Sequence, residues 1–260
     1  MRKINIVGVD ISTTTYEDVV STVNTWLAEQ ASKSLPAKYI CVTSVHGIIA
    51  ARTDLALRTA LNNADIATPD GMPVVWALRS FGAPKQQRVY GPTLMLRLCE
   101  ATARGGSGVF LYGGRPEVLP QLCERLNGKI PNLKLVGSYS PPFRPLSREE
   151  DEEVIRLIRE SRADLVLAGI STPKQEKWMA DHREFFPGKV MVGVGAAFDF
   201  HAGRVRQAPT WVQRAGLEWL FRLTMEPGRL WRRYLFITPQ FIPLWGLQKL
   251  RSVLPRRSAG

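Results

Sequence analysis

Asp70 is the residue whose setting points most directly to chemistry. It stands in Thr-Pro-Asp-Gly (68–71), directly after a short apolar run typical of a strand. Pro69 and Gly71 favour a tight turn, which would project the carboxylate beyond the strand. A lone carboxylate there can act as a general base that removes a proton from a hydroxyl group. The alternative is a structural role, because Asp is a good N-cap for the helix predicted from Pro73.

Glycines follow two further predicted strands, as Gly113-Gly114 and as Gly193-Val194-Gly195. Either group could let a phosphate approach backbone N–H groups. Neither fits the G-x-G-x-x-G dinucleotide fingerprint or the P-loop, and no suitable acidic residue follows about 20 residues later. The sequence therefore disfavours a nucleotide-binding oxidoreductase.

The residues that usually bind metals show no ligand spacing. The histidines His46, His182 and His201 are scattered, and no Asp-x-Asp occurs. An enzyme that handles a nucleotide diphosphate without a metal needs cations from the protein itself, and arginine is the natural supplier. The sequence therefore predicts neither a metal site nor a cofactor.

Basic charge is concentrated at the C-terminus. Residues 204–260 hold ten Arg and one Lys against Glu218 and Glu226, which is +9 of the total +12 and leaves +3 for residues 1–203. The same segment contains four of the seven tryptophans, Trp211, Trp219, Trp231 and Trp245. Arg beside Trp and Leu is typical of a helix at a membrane surface. A nucleic-acid surface and a basic helix pair without a partner are the alternatives. The scarcity of Lys favours specific phosphate contact, because the guanidinium fork binds phosphate oxygens bidentately.

Strands and helices alternate between residues 38 and 194, and the predicted strands are short and apolar on both faces. This pattern predicts an α/β fold, with a parallel sheet covered by helices on both faces. Ligands of such folds bind beyond the carboxyl ends of the strands. We expect an α/β core over residues 1–203 and a helical, membrane-binding appendage over residues 204–260.

Length and composition exclude other classes. A chain of 260 residues with 45% hydrophobic residues can build a core, which excludes disordered, collagen-like and disulfide-scaffold proteins. Cys41, Cys99 and Cys123 lack Cys-x-x-Cys spacing and are expected to be free thiols in a reducing cytosol. No apolar run reaches the roughly 18 residues of a spanning helix, so we expect a protein that is soluble or bound at a membrane surface.

Six strings stand in order between residues 68 and 234. They are T-P-D-G-M-P (68–73), R-V-Y-G-P (88–92), F-L-Y-G-G (110–114), T-P-K-Q-E-K-W-M (172–179), G-V-G-A-A-F-D-F-H-A-G (193–203) and Q-A-P-x-W-x-x-R-x-G-L-E-W-L-F-R-L-x-x-E-P-x-R-L-x-R-R-Y (207–234). In order and spacing, over about residues 38 to 235, they resemble the WecG/TagA/CpsF family of bacterial glycosyltransferases (glycosyltransferase family 26).

The resemblance implies transfer of a sugar from a UDP-sugar to an undecaprenyl-diphosphate-linked sugar, with inversion at the anomeric carbon. Members of that family make teichoic-acid linkage units, enterobacterial common antigen and exopolysaccharides. It also implies a Rossmann-like α/β domain with a C-terminal appendage that contacts the membrane. The donor would be a UDP-hexose derivative carrying N-acetylmannosamine, glucose or a uronic acid.

The resemblance also implies roles for single residues. Asp70 matches the family's proposed catalytic base, and Arg88 matches an arginine thought to steady diphosphate charge. The UDP-sugar pocket would include Thr43, Gln175 and Asp199, and the lipid diphosphate would be held by Arg222, Arg229 and Arg232. Many members read Thr-x-Asn where this chain reads Thr43-Ser44-Val45-His46. Either His46 replaces that Asn, or the donor or acceptor sugar differs.

The sequence thus predicts an inverting, metal-independent glycosyltransferase on the cytoplasmic face of the plasma membrane. The expected partners are the UDP-sugar, the lipid-linked acceptor and an anionic membrane surface, with no nucleic acid and with a homo-oligomer left open. The rival from a different class is a non-catalytic basic protein that binds membrane or nucleic acid.

Overall fold

The computed structural model describes residues 1–29 and 34–254, and it describes Thr210, Arg214 and Arg229 by their backbone alone. The strands are β1 Lys3–Ile6, β2 Val9–Ser12, β3 Lys38–Thr43, β4 Ile66–Pro69, β5 Gly108–Gly113, β6 Lys134–Tyr139, β7 Leu165–Gly169 and β8 Val190–Gly193. The helices of the first 203 residues are α1 Tyr16–Ala28, α2 Val45–Ala50, α3 Leu55–Asn62, α4 Met72–Ser80, α5 Gly91–Gly105, α6 Val118–Lys129, α7 Arg148–Glu160, α8 Lys174–His182 and α9 Ala197–His201.

Six of the strands form one sheet in the order β4-β3-β8-β7-β5-β6, and every neighbouring pair is parallel. The predicted fold class is therefore confirmed. Because all six strands run the same way, their carboxyl ends meet at one edge of the sheet, which is where ligands bind in such folds.

The two faces of the sheet carry separate apolar layers. Along β3, Tyr39 and Cys41 belong to a layer covered by α2, α3, α4, α7 and α8, whereas Ile40 and Val42 belong to a layer covered by α1, α5, α6 and α9. Successive side chains of a strand point to opposite faces. Both faces are buried, which explains why the strands read as continuous apolar runs.

The N-terminus lies outside the alternating segment and forms a separate two-stranded unit, although the apolar run Lys3–Val9 alone would predict a single strand. The structure has a hairpin in which β1 pairs antiparallel with β2, and the chain turns at Val7 and Gly8 with φ of 52° and 91°. Gly tolerates positive φ, but a β-branched Val rarely adopts it. Gly8 is therefore the only local signal for this turn, and Val7 gives none.

The C-terminal segment is helical and packs on the sheet domain. It comprises α10 Thr210–Arg214, α11 Glu218–Met225, α12 Pro227–Arg232, a π-helical turn Arg233–Ile237, a 3₁₀ turn Thr238–Gln240 and α13 Phe241–Val253. Phe241 is buried in the layer that holds α4, and the indole N–H of Trp245 donates to Ser80 Oγ at 3.0 Å. Pro227 begins α12, as expected of a proline that separates two helices. The division into residues 1–203 and 204–260 stays a prediction.

Candidate active site

Asp70 lies at the carboxyl end of β4, in a pocket at the edge of the sheet. Its backbone N–H donates to Thr43 O at 2.9 Å, which ties the turn to the neighbouring strand β3. Gly71 follows with φ of 100°, a conformation that favours glycine, and α4 begins at the next residue. The N-cap of α4 is Gly71, without a side-chain hydrogen bond. The carboxylate of Asp70 is therefore not used to cap the helix.

Arg88 holds that carboxylate. The guanidinium Nε and Nη2 donate to Asp70 Oδ1 at 3.0 and 2.8 Å, and Nη1 donates to Glu218 Oε2 at 2.5 Å. The backbone N–H of Val89 donates to Pro69 O at 3.0 Å, so the loop that carries Arg88 is fixed beside the end of β4. One arginine thus joins two carboxylates that lie 148 residues apart in sequence (218 − 70).

An aromatic ring packs against the Arg88 guanidinium. Cζ of Arg88 lies 4.1 Å from the centroid of the Tyr90 ring, a cation–π contact. Burial alone would lower the pKa of Arg88, but the carboxylates of Asp70 and Glu218 outweigh it and raise that pKa. The guanidinium of Arg88 therefore stays charged and provides a fixed positive group in the lining of the pocket.

The carboxyl group of Asp70 is a weaker acid than that of an ordinary aspartate. Burial raises the pKa of its carboxyl; Arg88 lowers it, Glu218 raises it and Arg222 lowers it to a lesser extent, with a net increase. The side chain keeps 20% of its surface exposed, so it remains accessible from the pocket. A carboxylate with a raised pKa is a stronger proton acceptor than an ordinary Asp, as general-base catalysis requires.

Glu218 enters from the C-terminal segment. It is the first residue of α11 and only 7% exposed. Gly216 precedes it with φ of 74°, and a Cβ at that glycine would lie 3.4 Å from Met72. The turn between α10 and α11 therefore rests directly on α4, and this close approach delivers Glu218 to Arg88.

Gln175 also lines the pocket. Its Oε1 accepts the backbone N–H of Gly195 at 3.0 Å, and its Nε2 donates to Glu176 Oε1 at 3.0 Å. Glu176 also accepts from Thr172 Oγ1 at 2.8 Å, and burial raises its pKa. The amide of Gln175 is thus held in one orientation at the pocket surface.

The glycines at or just after the ends of β5 and β8 have structural roles in the fold. The N–H of Gly195 bonds to Gln175, and the N–H of Gly114 donates to Gly169 O at 3.1 Å. A Cβ at Gly113 would lie 2.6 Å from the backbone of Gly169, so glycine is needed there for strand packing. These two N–H groups already have acceptors, which does not favour a phosphate site on them.

Two arginines of the C-terminal segment line the pocket. Arg222 lies 5.5 Å from the Phe200 ring centroid and 4.0 Å from Glu226. Arg233, which the sequence analysis did not select, donates to Ser44 Oγ at 3.2 Å. Arg232 is exposed and stacks on Trp231 at 5.2 Å. Arg229 lies in α12, and its side chain is outside the described part of the structure.

Thr43 and Asp199 flank the pocket. The Thr43 hydroxyl donates to Cys41 O at 3.2 Å, and the residue is buried. Asp199 lies in α9, where its backbone O accepts from the N–H of Arg204 at 3.0 Å. Neither is among the residues that line the pocket around Asp70, so their proposed contact with a UDP-sugar stays a prediction.

His46 lines the pocket beside Arg233. Burial, and then the charge of Arg233, lower the pKa of the imidazole to about 4. The ring is therefore neutral near pH 7 and can exchange hydrogen bonds with a hydroxyl or amide group. It adds no charge to the site.

Glu218 and Arg233 are the site residues that sequence reasoning missed. The sequence contains a signal for Glu218, because residues 204–260 have only two acidic residues and eleven basic ones. A rare carboxylate in a basic segment is a candidate for a specific ion pair with arginine. For Arg233 the sequence offers no signal that separates it from the adjacent Arg232.

Among residues 1–29 and 34–254, no group of three or more His, Cys, Asp or Glu side chains is placed to hold a metal ion. The pocket instead brings together the Asp70 carboxylate, the bridge from Arg88 to Glu218, and further arginines. This arrangement can deprotonate a hydroxyl group and stabilise a phosphate-rich leaving group. This arrangement is typical of an α/β enzyme that binds its substrates at the carboxyl edge of a parallel sheet.

The comparison with protein families identifies the enzyme class. The Glycosyl transferase WecG/TagA/CpsF family model matches residues 4–254, nearly the whole chain. The protein belongs to this family, and the resemblance drawn from the six strings is confirmed. It is therefore a glycosyltransferase of cell-surface polysaccharide synthesis, which uses a sugar donor and a lipid-linked acceptor.

Proposed function

We propose that the protein transfers a hexose derivative from a UDP-sugar to an undecaprenyl-diphosphate-linked sugar, in one displacement that inverts the anomeric carbon. The observation that carries the proposal is the Asp70 carboxylate in a pocket lined by Arg88, Arg222 and Arg233. The base has a raised pKa, and the surrounding cations suit two diphosphate groups, one on the donor and one on the acceptor.

In this reaction Asp70 takes the proton of the acceptor hydroxyl. Both contacts from Arg88 reach Oδ1, so Oδ2 is the oxygen left to receive the proton. The hydroxyl oxygen forms a bond to the anomeric carbon while the bond from that carbon to the UDP oxygen breaks, and the electron pair leaves with UDP. Attack from the face opposite the leaving group produces inversion.

The arginines divide between the two substrates. We assign Arg88 to the diphosphate charge that develops on UDP, together with donor contacts from Gln175, Thr43 and Asp199. Arg222, Arg229 and Arg232 are assigned to the lipid diphosphate, and the pocket adds Arg233 to that group. Arginine suits this role because its fork binds phosphate oxygens bidentately.

We further propose that residues 204–260 bind the cytoplasmic leaflet of the plasma membrane. Across residues 1–29 and 34–254, no helix combines the length and the apolar character needed to cross a bilayer. Thirteen of the twenty exposed large apolar side chains of the described residues belong to this segment, beside its excess of arginine. Exposed apolar and basic side chains together suit the headgroup boundary.

The proposed function is tested by release of UDP from UDP-sugars with a soluble, short-chain polyprenyl-diphosphate-sugar acceptor. A screen of UDP-N-acetylmannosamine, UDP-glucose and a UDP-uronic acid should give transfer with one of them, and the product should have the opposite anomeric configuration to the donor. A protein that binds anionic vesicles but releases no UDP from any donor would favour the non-catalytic alternative.

Transfer is expected to continue in EDTA at an unchanged rate. The reason is that arginines supply the positive charge that a metal would otherwise bring to the diphosphate. The measurement is the initial rate of UDP release with and without EDTA. Activity that disappears in EDTA and returns with magnesium or manganese would show that the reaction needs a metal.

Arg222→Ala is expected to raise KM for the lipid-linked acceptor about 10-fold to 150-fold, since a hydrogen bond to a charged group contributes roughly 1.5–3 kcal/mol. The affinity for UDP should change much less. Arg232→Ala should act in the same direction but more weakly, because Arg232 is exposed and does not line the pocket. Calorimetric UDP binding beside acceptor kinetics separates the two effects, and equal losses for both ligands would contradict the assignment.

A further inference from the structure

We propose that Glu218 is a positioning residue for the transfer reaction: it anchors Arg88 so that the guanidinium contacts only Oδ1 of Asp70 and leaves Oδ2 to take the proton. The inference rests on the proposed function, because it assigns Glu218 a task in setting up the base. Glu218 itself touches Arg88 and need not touch the reacting atoms.

The contacts of Arg88 are unusual for a paired arginine. An arginine beside a single carboxylate commonly forms a fork, in which two N–H groups bond to the two oxygens. Here Nε and Nη2 both reach Oδ1, at 3.0 and 2.8 Å, and Nη1 is bonded to Glu218 Oε2 at 2.5 Å. The bond to Glu218 holds the far side of the guanidinium, so it cannot rotate into the fork without breaking that bond.

The Tyr90 ring packs against the Arg88 guanidinium, and the bond from Nη1 to Glu218 Oε2 limits its rotation. The pair is largely sheltered from water, with 16% of the Arg88 side chain and 10% of the Glu218 side chain exposed. Charges sheltered in this way interact strongly, because little solvent screens them. The negative charge of Glu218 also weakens the attraction between the Arg88 guanidinium and the Asp70 carboxylate.

This arrangement has a direct effect on Asp70. The charge of Glu218 raises the pKa of Asp70 and thereby opposes Arg88. The other titratable or charged groups around Asp70 are Tyr16 on α1, Tyr90 before α5 and Arg222 on α11, and His46 and Arg233 line the same pocket. His46 is neutral above about pH 4, and the pKa of both tyrosines is raised above the usual value, so none of these three changes charge near pH 5–8.

The test compares Glu218→Gln, Glu218→Asp and Glu17→Gln in the full chain. Gln keeps the shape of Glu218 and removes its charge, whereas Asp keeps the charge. Glu17→Gln is the matched control, since Glu17 pairs with Arg97, which also lies over a tyrosine ring, at the exposed surface of α1 and α5. The readouts are kcat and kcat/KM against pH, and the ¹³C NMR titration of the Asp70 carboxyl without substrates.

For Glu218→Gln we expect kcat to fall about 10-fold to 100-fold, as misplacement of a catalytic group by about 1 Å can do. The acid limb of the pH profile and the NMR titration of Asp70 should both move to lower pH by about one unit, because one neighbouring charge changes a pKa by roughly that amount. Glu218→Asp should restore the pH dependence, and Glu17→Gln should match the wild type.

Three results would overturn the inference. The first is an unchanged Asp70 titration in Glu218→Gln, and the second is a Glu218→Asp variant that behaves like Glu218→Gln. The third is faster tryptic cleavage of the C-terminal segment in Glu218→Gln, because that would indicate that the segment has detached from the sheet domain. Failure of the proposed function looks different. In that case the wild type releases no UDP from any donor, while the NMR titration still reports whether Glu218 controls Asp70.

Discussion

Asp70→Asn is expected to lower the transfer rate by about 10²–10⁴, the usual contribution of a general base. The amide cannot accept the proton of the acceptor hydroxyl, although its shape and its carbonyl bond to Arg88 are kept. UDP affinity should stay within about twofold of the wild type, since the base is not assigned to the nucleotide. The measurements are single-turnover rates with the lipid-linked acceptor and calorimetric titration with UDP.

Asp54→Asn is the matched control for this substitution. Asp54 is also a carboxylate in an ion pair, 2.6 Å from Lys177 Nζ, and it caps α3 through its bond from Leu57 N. Asn is also a good N-cap, so this variant should keep its fold and its activity. Near-normal turnover by Asp70→Asn, or an equal loss of turnover in Asp54→Asn, would show that Asp70 is not the general base.

The same variant has an expected effect on stability. The pKa of Asp70 is raised in the folded protein, so ionisation of the carboxyl costs folding free energy above the raised pKa. Asp70→Asn removes that cost near neutral pH and should leave Tm equal to or higher than that of the wild type. The difference in Tm should shrink at acid pH, where Asp70 is protonated in both states. A base selected for catalysis and not for stability would behave in this way.

The local parts of the site were predictable from the sequence. The apolar run followed by Pro69, Asp70 and Gly71 specifies a strand that ends in a tight turn, and the structure places Asp70 at the carboxyl end of β4. Turn chemistry of this kind depends only on neighbours in the chain. The alternation of strands and helices predicted the parallel sheet for the same reason.

The long-range parts were not predictable. The bond between Arg88 and Glu218 joins residues 130 positions apart, and it forms only because the turn at Gly216 rests on α4. Helix α2, Val45–Ala50, was also missed, because its six residues are too few to show a helical period and include Gly47. Such features follow from packing between distant elements, which a local pattern does not encode.

The proposed membrane binding would use side chains whose exposure only the structure reveals. In the π-helical turn and α13, Phe236 is 62% and Ile242 is 65% exposed, and Phe236 lies 5.9 Å from the ring of Trp231. Neither side chain is among those that line the pocket around Asp70. If this segment binds a bilayer as proposed, their substitution should weaken that binding without changing the chemistry of the site.

The double variant Phe236→Ser and Ile242→Ser is expected to reduce partition onto anionic vesicles by about 100-fold or more. Burial of one large apolar side chain contributes roughly 1.5–3 kcal/mol, and two are removed. The measurement is co-sedimentation with vesicles of anionic and of neutral lipid, at low and high salt. High salt should weaken binding of the wild type to anionic vesicles, because the arginines interact with lipid charge over about a Debye length.

Phe143→Ser is the control, since Phe143 is 97% exposed on the loop before α7 and lies outside residues 204–260. It should bind vesicles like the wild type. The double variant should also transfer sugar to a soluble short-chain acceptor at the normal rate but lose activity on the long-chain acceptor held in vesicles. Wild-type binding by the double variant, or an equal loss in Phe143→Ser, would show that the C-terminal segment is not the membrane-binding surface.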